Sequence, residues 1–295
     1  MSRLPVALIA LSTLAACATT GHGSVQNPQA VADGNRHHGR DRNAEQPDAQ
    51  QDQLADNDSG DRATARPTRR VDHQARQRIV RQDMLTQMAF WAGEYDTFPD
   101  DLEAAQQFSE TLRKGGRNDR AAAVAGEALH RFPNDQPLMM TYGLAQIATD
   151  NPQEALRPLA MLAQTDAQNW RARSALGVAL DQMGRFTEAR QAYQEALTIH
   201  PDDAAILTNI GMSHLLEGDP DQAEPILRQA VALPSATPET RQNLAIALAL
   251  QGKFDEAERL ERIDLPPAQV ASNMAYLRSL LSDPHSWRDV GHAGN

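Results

Sequence analysis

Cys17 is the only thiol in the chain. A single cysteine cannot close an internal disulfide, so its chemistry is that of a free thiol open to acylation. The nine histidines are scattered. His37 and His38 are adjacent, but no cysteine or carboxylate frame completes a metal-ligand set around them. His130, His200 and His214 fall in helical stretches with no catalytic partner at a useful spacing. No phosphate-binding glycine loop, nucleophile elbow or zinc-type His/Glu motif occurs. The residues therefore predict a protein that is not an enzyme and holds no metal or cofactor.

Cys17 gains meaning from what precedes it. Arg3 is followed by the apolar run Leu4-Pro5-Val6-Ala7-Leu8-Ile9-Ala10-Leu11, then small residues up to the cysteine. The run is too short to span a bilayer and reads as an export signal over 1–16. Leu14-Ala15-Ala16-Cys17 resembles the bacterial lipoprotein box, in which the cysteine is diacylated and becomes the new N-terminus. Several acyl chains would give a durable membrane anchor, since each buried methylene contributes about 0.8 kcal/mol. Ala18 stands where an aspartate marks inner-membrane retention in enteric bacteria, so the resemblance implies the outer membrane.

Residues 17–71 are rich in Asp, Arg, Gln, Asn, Gly and Ala, with almost no large apolar side chains. Such a segment cannot offset its ordering entropy and is expected to be a disordered linker, with an end-to-end distance of roughly 40 Å. Aromatic residues make up only 4% of the chain, and none occurs before Phe90. An apolar content dominated by Ala and Leu suits close-packed helices. The net charge of −11 argues against a nucleic-acid partner.

From Leu102 to Ala271 the sequence repeats every 34 residues. One column holds Gly116, Asp150, Gly184, Gly218 and Gly252; another holds Ala121, Ala155, Ala189, Ala223 and Ala257. A third is uniformly small: Ser109, Gly143, Gly177, Gly211 and Ala245. A fourth holds Ala128, Leu162, Ala196, Ala230 and Asp264. This period and pattern resemble the tetratricopeptide-repeat (TPR) family. The expected fold is all-α: five helical hairpins at 102–135, 136–169, 170–203, 204–237 and 238–271. The glycine column should end each first helix with positive φ. Residues 72–101 are expected to form one N-terminal capping helix with Ile79, Val80, Leu85, Met88 and Phe90 as its apolar positions. Residues 272–295 should supply a C-terminal capping helix, with Met274, Leu277 and Leu281 inward, and a loose tail.

In the resembled family the first helices line a concave ligand-binding face. That frame places Met140, Leu144, Ile147, Ser174, Val178, Thr208, Met212, Leu215 and Ile246 toward the groove, with Asn209, Gln242 and Asn243. Lysine is missing from these positions, so the groove should take an apolar helix or extended segment, the asparagines meeting its backbone. Several of the apolar residues could instead pack between repeats.

Arg241 to Glu258, then Asp264-Leu265-Pro266-Pro267 and Asn273-Met274-Ala275-Tyr276-Leu277-Arg278, resemble the TadD family, the TPR lipoproteins of tight-adherence (Flp) pilus systems. The resemblance covers about residues 85–282, and the last two segments carry most of its discrimination. It implies an outer-membrane, periplasm-facing lipoprotein that assists assembly or localisation of the pilus secretin through protein binding. The long polar linker departs from the family. Two alternatives remain: a TPR lipoprotein of another envelope machine, such as a type IV-a pilotin or a β-barrel assembly accessory, and a cell-wall enzyme regulator.

Overall fold

A computed structural model describes residues 71–282. Segment 1–16, Cys17, His37, His38, the linker up to residue 70 and the tail after 282 lie outside the described residues. Within them the chain is helical throughout. Helices α1 (His73–Ile79) and α2 (Met84–Thr97) precede five hairpins. These are α3 (Leu102–Lys114) with α4 (Asn118–Arg131), α5 (Gln136–Ala148) with α6 (Pro152–Thr165), and α7 (Trp170–Gln182) with α8 (Phe186–Ile199). α9 (Ala204–Glu217) with α10 (Pro220–Ala232) and α11 (Pro238–Leu250) with α12 (Phe254–Glu261) follow, and α13 (Pro267–Ser282) ends the array.

Each first helix starts on a polar residue, and these also recur every 34 positions: Asp101, Asp135, Asn169, Asp203 and Thr237. Each side chain accepts the backbone N–H at the third helical position, satisfying a donor the helix leaves unpaired. The first helices then turn into the second through left-handed backbone at Gly116, Asp150, Gly184, Gly218 and Gly252. Asp150 does this with φ 59°, a conformation that disfavours a Cβ.

Close approach within hairpins explains the small column. A Cβ on Gly143 would lie 2.7 Å from Leu159 Cγ, and one on Gly211 2.5 Å from Leu227 Cγ. Large and small residues therefore alternate across each helix pair. The register pairs the larger Ser109 with Ala125 at the same place. The fully buried Ala121, Ala155, Ala189, Ala223 and Ala257 form the second contact row.

The N-terminal cap is two helices, not one. Asp83 accepts the Thr86 N–H and starts α2 afresh, so the apolar pattern across 79–90 does not lie on one face. Val80 and Leu85 are exposed, at 44% and 76%, while Trp91 and Tyr95 are buried on the first hairpin. Arg76 fastens α1. Its buried guanidinium donates to Glu94, to Asp101 at 2.6 Å and to Glu103 at 2.8 Å, and lies 5.6 Å from the Trp91 ring centroid.

At the other end α13 begins at Pro267, inside the range assigned to the fifth repeat, and α12 stops at Glu261. Pro266 and Pro267 preclude continuation of α12. Val270, Met274 and Leu277 are buried, and Leu281 is half-buried. Three polar contacts secure this cap: a bidentate Arg241–Asp264 pair at 2.6 and 2.7 Å, Asn273 donating to Glu261, and Arg278 stacked 4.8 Å from Phe254. Asp264, the one polar residue in the column of Ala128, Leu162, Ala196 and Ala230, is the acceptor of the Arg241 pair. Pro158 and Pro225 sit inside α6 and α10; nothing in the structure explains them.

Candidate functional site: the row of first helices

Besides packing on its own partner, each first helix touches the next first helix, from α3 to α5 and on to α11 and α13. The second helices form no comparable row. The first helices thus make the tighter, inner wall of the solenoid, where a ligand groove would lie.

The twelve residues assigned to that wall divide by exposure. Met140 and Leu144 on α5, Ser174 on α7, and Gln242 and Ile246 on α11 keep solvent-facing surface. Ile147, Val178, Thr208, Asn209, Met212, Leu215 and Asn243 are buried. Neighbouring first helices on both sides cover the interior positions, so packing between repeats claims them. Met212 is 2% exposed and belongs to the main apolar core.

The expectation that the asparagines meet a ligand backbone is corrected by their burial. Asn209 Nδ2 donates to Ser174 Oγ at 3.4 Å, leaving Oδ1 without a partner among the described residues. The Asn243 amide, 1% exposed, has neither nitrogen nor oxygen paired there. Thr208 donates to Ala204 O at 2.6 Å and approaches Thr240 Oγ1 at 3.3 Å. The polar residues of this wall largely join one first helix to the next: Thr141 to Glu110, Gln182 to the Ile147 carbonyl, Thr208 to Thr240.

The strongest such link was not foreseen from the sequence. Asp181 on α7 is 3% exposed and accepts from Tyr193 Oη of α8 at 2.8 Å and from Ser213 Oγ of α9 at 2.7 Å. Burial pushes its carboxyl up to about 7, against the hydrogen bonds from Ser213 and Tyr193 and the charge of Arg190. A signal was present: Asp181 is the lone carboxylate in a column that reads Arg113, Ile147, Asp181, Leu215 and Ala249, apolar in the repeats on either side of it. His214 is half-buried and shifted down by desolvation, then by Arg190. His130 bonds the Gly126 carbonyl of its own helix, and His200 stacks on Trp170 beside Asp203. Among the described residues no three His, Cys, Asp or Glu side chains converge on a metal position, and no helix is long and apolar enough to cross a membrane.

Models of the tetratricopeptide-repeat family match residues 107–169, 171–236 and 214–281. The chain is 29% identical over 124 residues to a TPR repeat-containing protein of Pseudomonas aeruginosa, covering 42% of this chain and 21% of that one. It is 29% identical over 111 residues to an uncharacterized protein of Sinorhizobium fredii, covering 38% and 60%. Both alignments span less than two thirds of the relative's own length. Among solved structures, a thermophilic TPR protein of Thermus thermophilus superposes with a TM-score of 0.53 at 23% identity, over 60% of this chain and 99% of that one. That likeness bears on fold alone.

Proposed function

We propose that this chain, which belongs to the tetratricopeptide-repeat family and is a protein-interaction scaffold, works at the outer membrane, held there by acyl chains on Cys17, and assists the secretin of a tight-adherence pilus. The binding part rests on one observation: the inner wall keeps a half-exposed, mainly apolar stripe of Met140, Leu144 and Ile246, with Ser174 and Gln242 among them. Such a stripe suits an apolar helix or extended segment of a partner, with the two polar side chains meeting its backbone.

The anchor rests on Leu14-Ala15-Ala16-Cys17. The pilus assignment rests on the resemblance carried by Asp264-Leu265-Pro266-Pro267 and Asn273 to Arg278; of these, Asp264, Asn273 and Arg278 fasten α13. Cross-linking in intact cells, followed by identification of what is recovered, tests the reading. A secretin should come down with the wild-type chain, and Cys17→Ser should leave the detergent phase and recover less of it. Recovery of a β-barrel assembly protein without a secretin would remove the pilus assignment while leaving the scaffold.

A further inference from the structure

Between α4 and α5 lies an open cleft of about 370 Å³ that shares no residue with the inner stripe. Its floor is Ala122, Ala123 and Gly126 of α4, one wall is the Tyr142 ring of α5, and Asp119 and Glu127 stand at its edge. The repeat frame shows what stands at this place in the other hairpins. The Ala122 column continues as Leu156, Arg190, Glu224 and Glu258, and the Gly126 column as Ala160, Gln194, Arg228 and Arg262. In the third and fourth hairpins those side chains bridge to the next hairpin: Arg190 to Glu217 at 2.8 Å, Glu224 to Lys253 at 2.6 Å, and Arg228 to Glu256, while Arg228 also pairs with Glu224 of its own helix. In the second hairpin Leu156 and Ala160 hold these places, and in the first Ala122 and Gly126 are too small to fill them and leave a cleft.

What the cleft offers is acceptors and a ring face. Asp119 makes no ion pair among the described residues, while Glu127 holds Arg131 at 2.9 Å. Asn151, which takes the column place of Lys253, spends its side-chain N–H donors on Thr149 and leaves its side-chain Oδ1 without a partner among the described residues. Gly126 in mid-helix costs about 1 kcal/mol relative to alanine. Its missing side chain is what lets Tyr142 lie over α4, since a Cβ would stand 3.0 Å from Tyr142 Cε2. A guanidinium matches this set. It is planar, carries five donors and no acceptor, stacks on aromatic faces and pairs with carboxylates.

We propose that this cleft receives an arginine side chain from a protein partner, taking the place that Arg228 fills from within the chain three hairpins later. The partner would thus be held at a second surface, separate from the apolar stripe.

The test uses the full chain and N-acetyl-arginine amide, with the neutral isostere N-acetyl-citrulline amide as control, followed by backbone amide NMR. The arginine probe should give saturable shifts at Gly126, Tyr142 and Asn151, and the citrulline probe should not. Tyr142→Leu, which places in α5 the residue that Leu176 and Leu244 supply in its column, should abolish the response with the helical melt retained. Asp119→Asn, an exposed change, should weaken it about threefold, as expected for an edge charge. No saturable shift with arginine, equal shifts with citrulline, or an unchanged response in Tyr142→Leu would each overturn the proposal.

Discussion

The edge of the Tyr193 ring lies directly against the Cα of Gly177, so close that a Cβ there would stand 2.7 Å from both Cδ1 and Cζ of the ring. The same tyrosine then reaches past the glycine to donate its hydroxyl to Asp181 at 2.8 Å. One contact thus closes the third hairpin and sets up the link to the fourth.

Gly177→Ala should therefore destabilise by about 1–3 kcal/mol, although alanine favours a helix. In a Tyr193→Ala background the same change should be close to neutral or stabilising, because the obstructing ring is gone. A double-mutant cycle in urea measures the coupling. Equal costs in both backgrounds would place the cause elsewhere.

Asp150 offers the reverse case. It holds the left-handed position that Gly116, Gly184, Gly218 and Gly252 hold in the other hairpins. Asp150→Gly should raise stability by about 0.5–1 kcal/mol, seen as a higher melting temperature.

Asp181 sets an unusual pH dependence. Its carboxyl is raised to about 7 in the fold from an ordinary 3.8, so between those values the native state holds a proton the unfolded state has lost. This contribution to stability is fully present below pH 4 and is lost as pH rises through 7, by up to about 4 kcal/mol. Glu224 works in the opposite sense. Burial pushes it up, but Lys253, Arg228 and Gln251 overcome this and hold it at about 2. Its contribution is present above pH 4.5 and is lost as pH falls through 2. Asp181→Asn should flatten the decline between pH 4 and 8 in urea titrations, since the Tyr193 and Ser213 hydroxyls can accept as well as donate. A decline unaffected by that change would assign it to other groups.

The hairpins were legible in the sequence because each column answers a local demand: positive φ at Gly184, close approach at Gly177, a helix pair meeting at Ala189. The capping column Asp101, Asp135, Asn169, Asp203 and Thr237 was equally regular, but its chemistry rather than its identity is what repeats. The break at Asp83 was hidden by apolar residues on both sides that happen to continue a helical period. Exposure on the inner wall was the least legible. Thr208, Asn209, Met212 and Asn243 carry the right period to face a groove, yet the period of one helix says nothing about how closely the next one approaches. Ile147 and Leu215, which hold the place of Asp181 in the adjacent repeats, hinted at burial, and only the fold shows which hydroxyls meet it.

That division decides how the groove can be tested. Ile246 on α11 and Leu144 on α5 are half-exposed, whereas Met212 on α9 sits in the core at 2% exposure. Met212→Glu would bury an unpaired charge in the main apolar core and should cost several kcal/mol, enough to lose the cooperative helical melt. Ile246→Glu and Leu144→Glu can keep the new carboxylate in water while the chain is free and should retain the melt within about 1 kcal/mol. Docking of an apolar partner segment would then strip water from that charge, so both variants should lose most of the protein recovered by cross-linking with the wild type. Exposure loss on binding makes Ile246 and Leu144 informative where Met212 is not. If Ile246→Glu and Leu144→Glu fold and still recover the same partner, the inner stripe is not the binding surface.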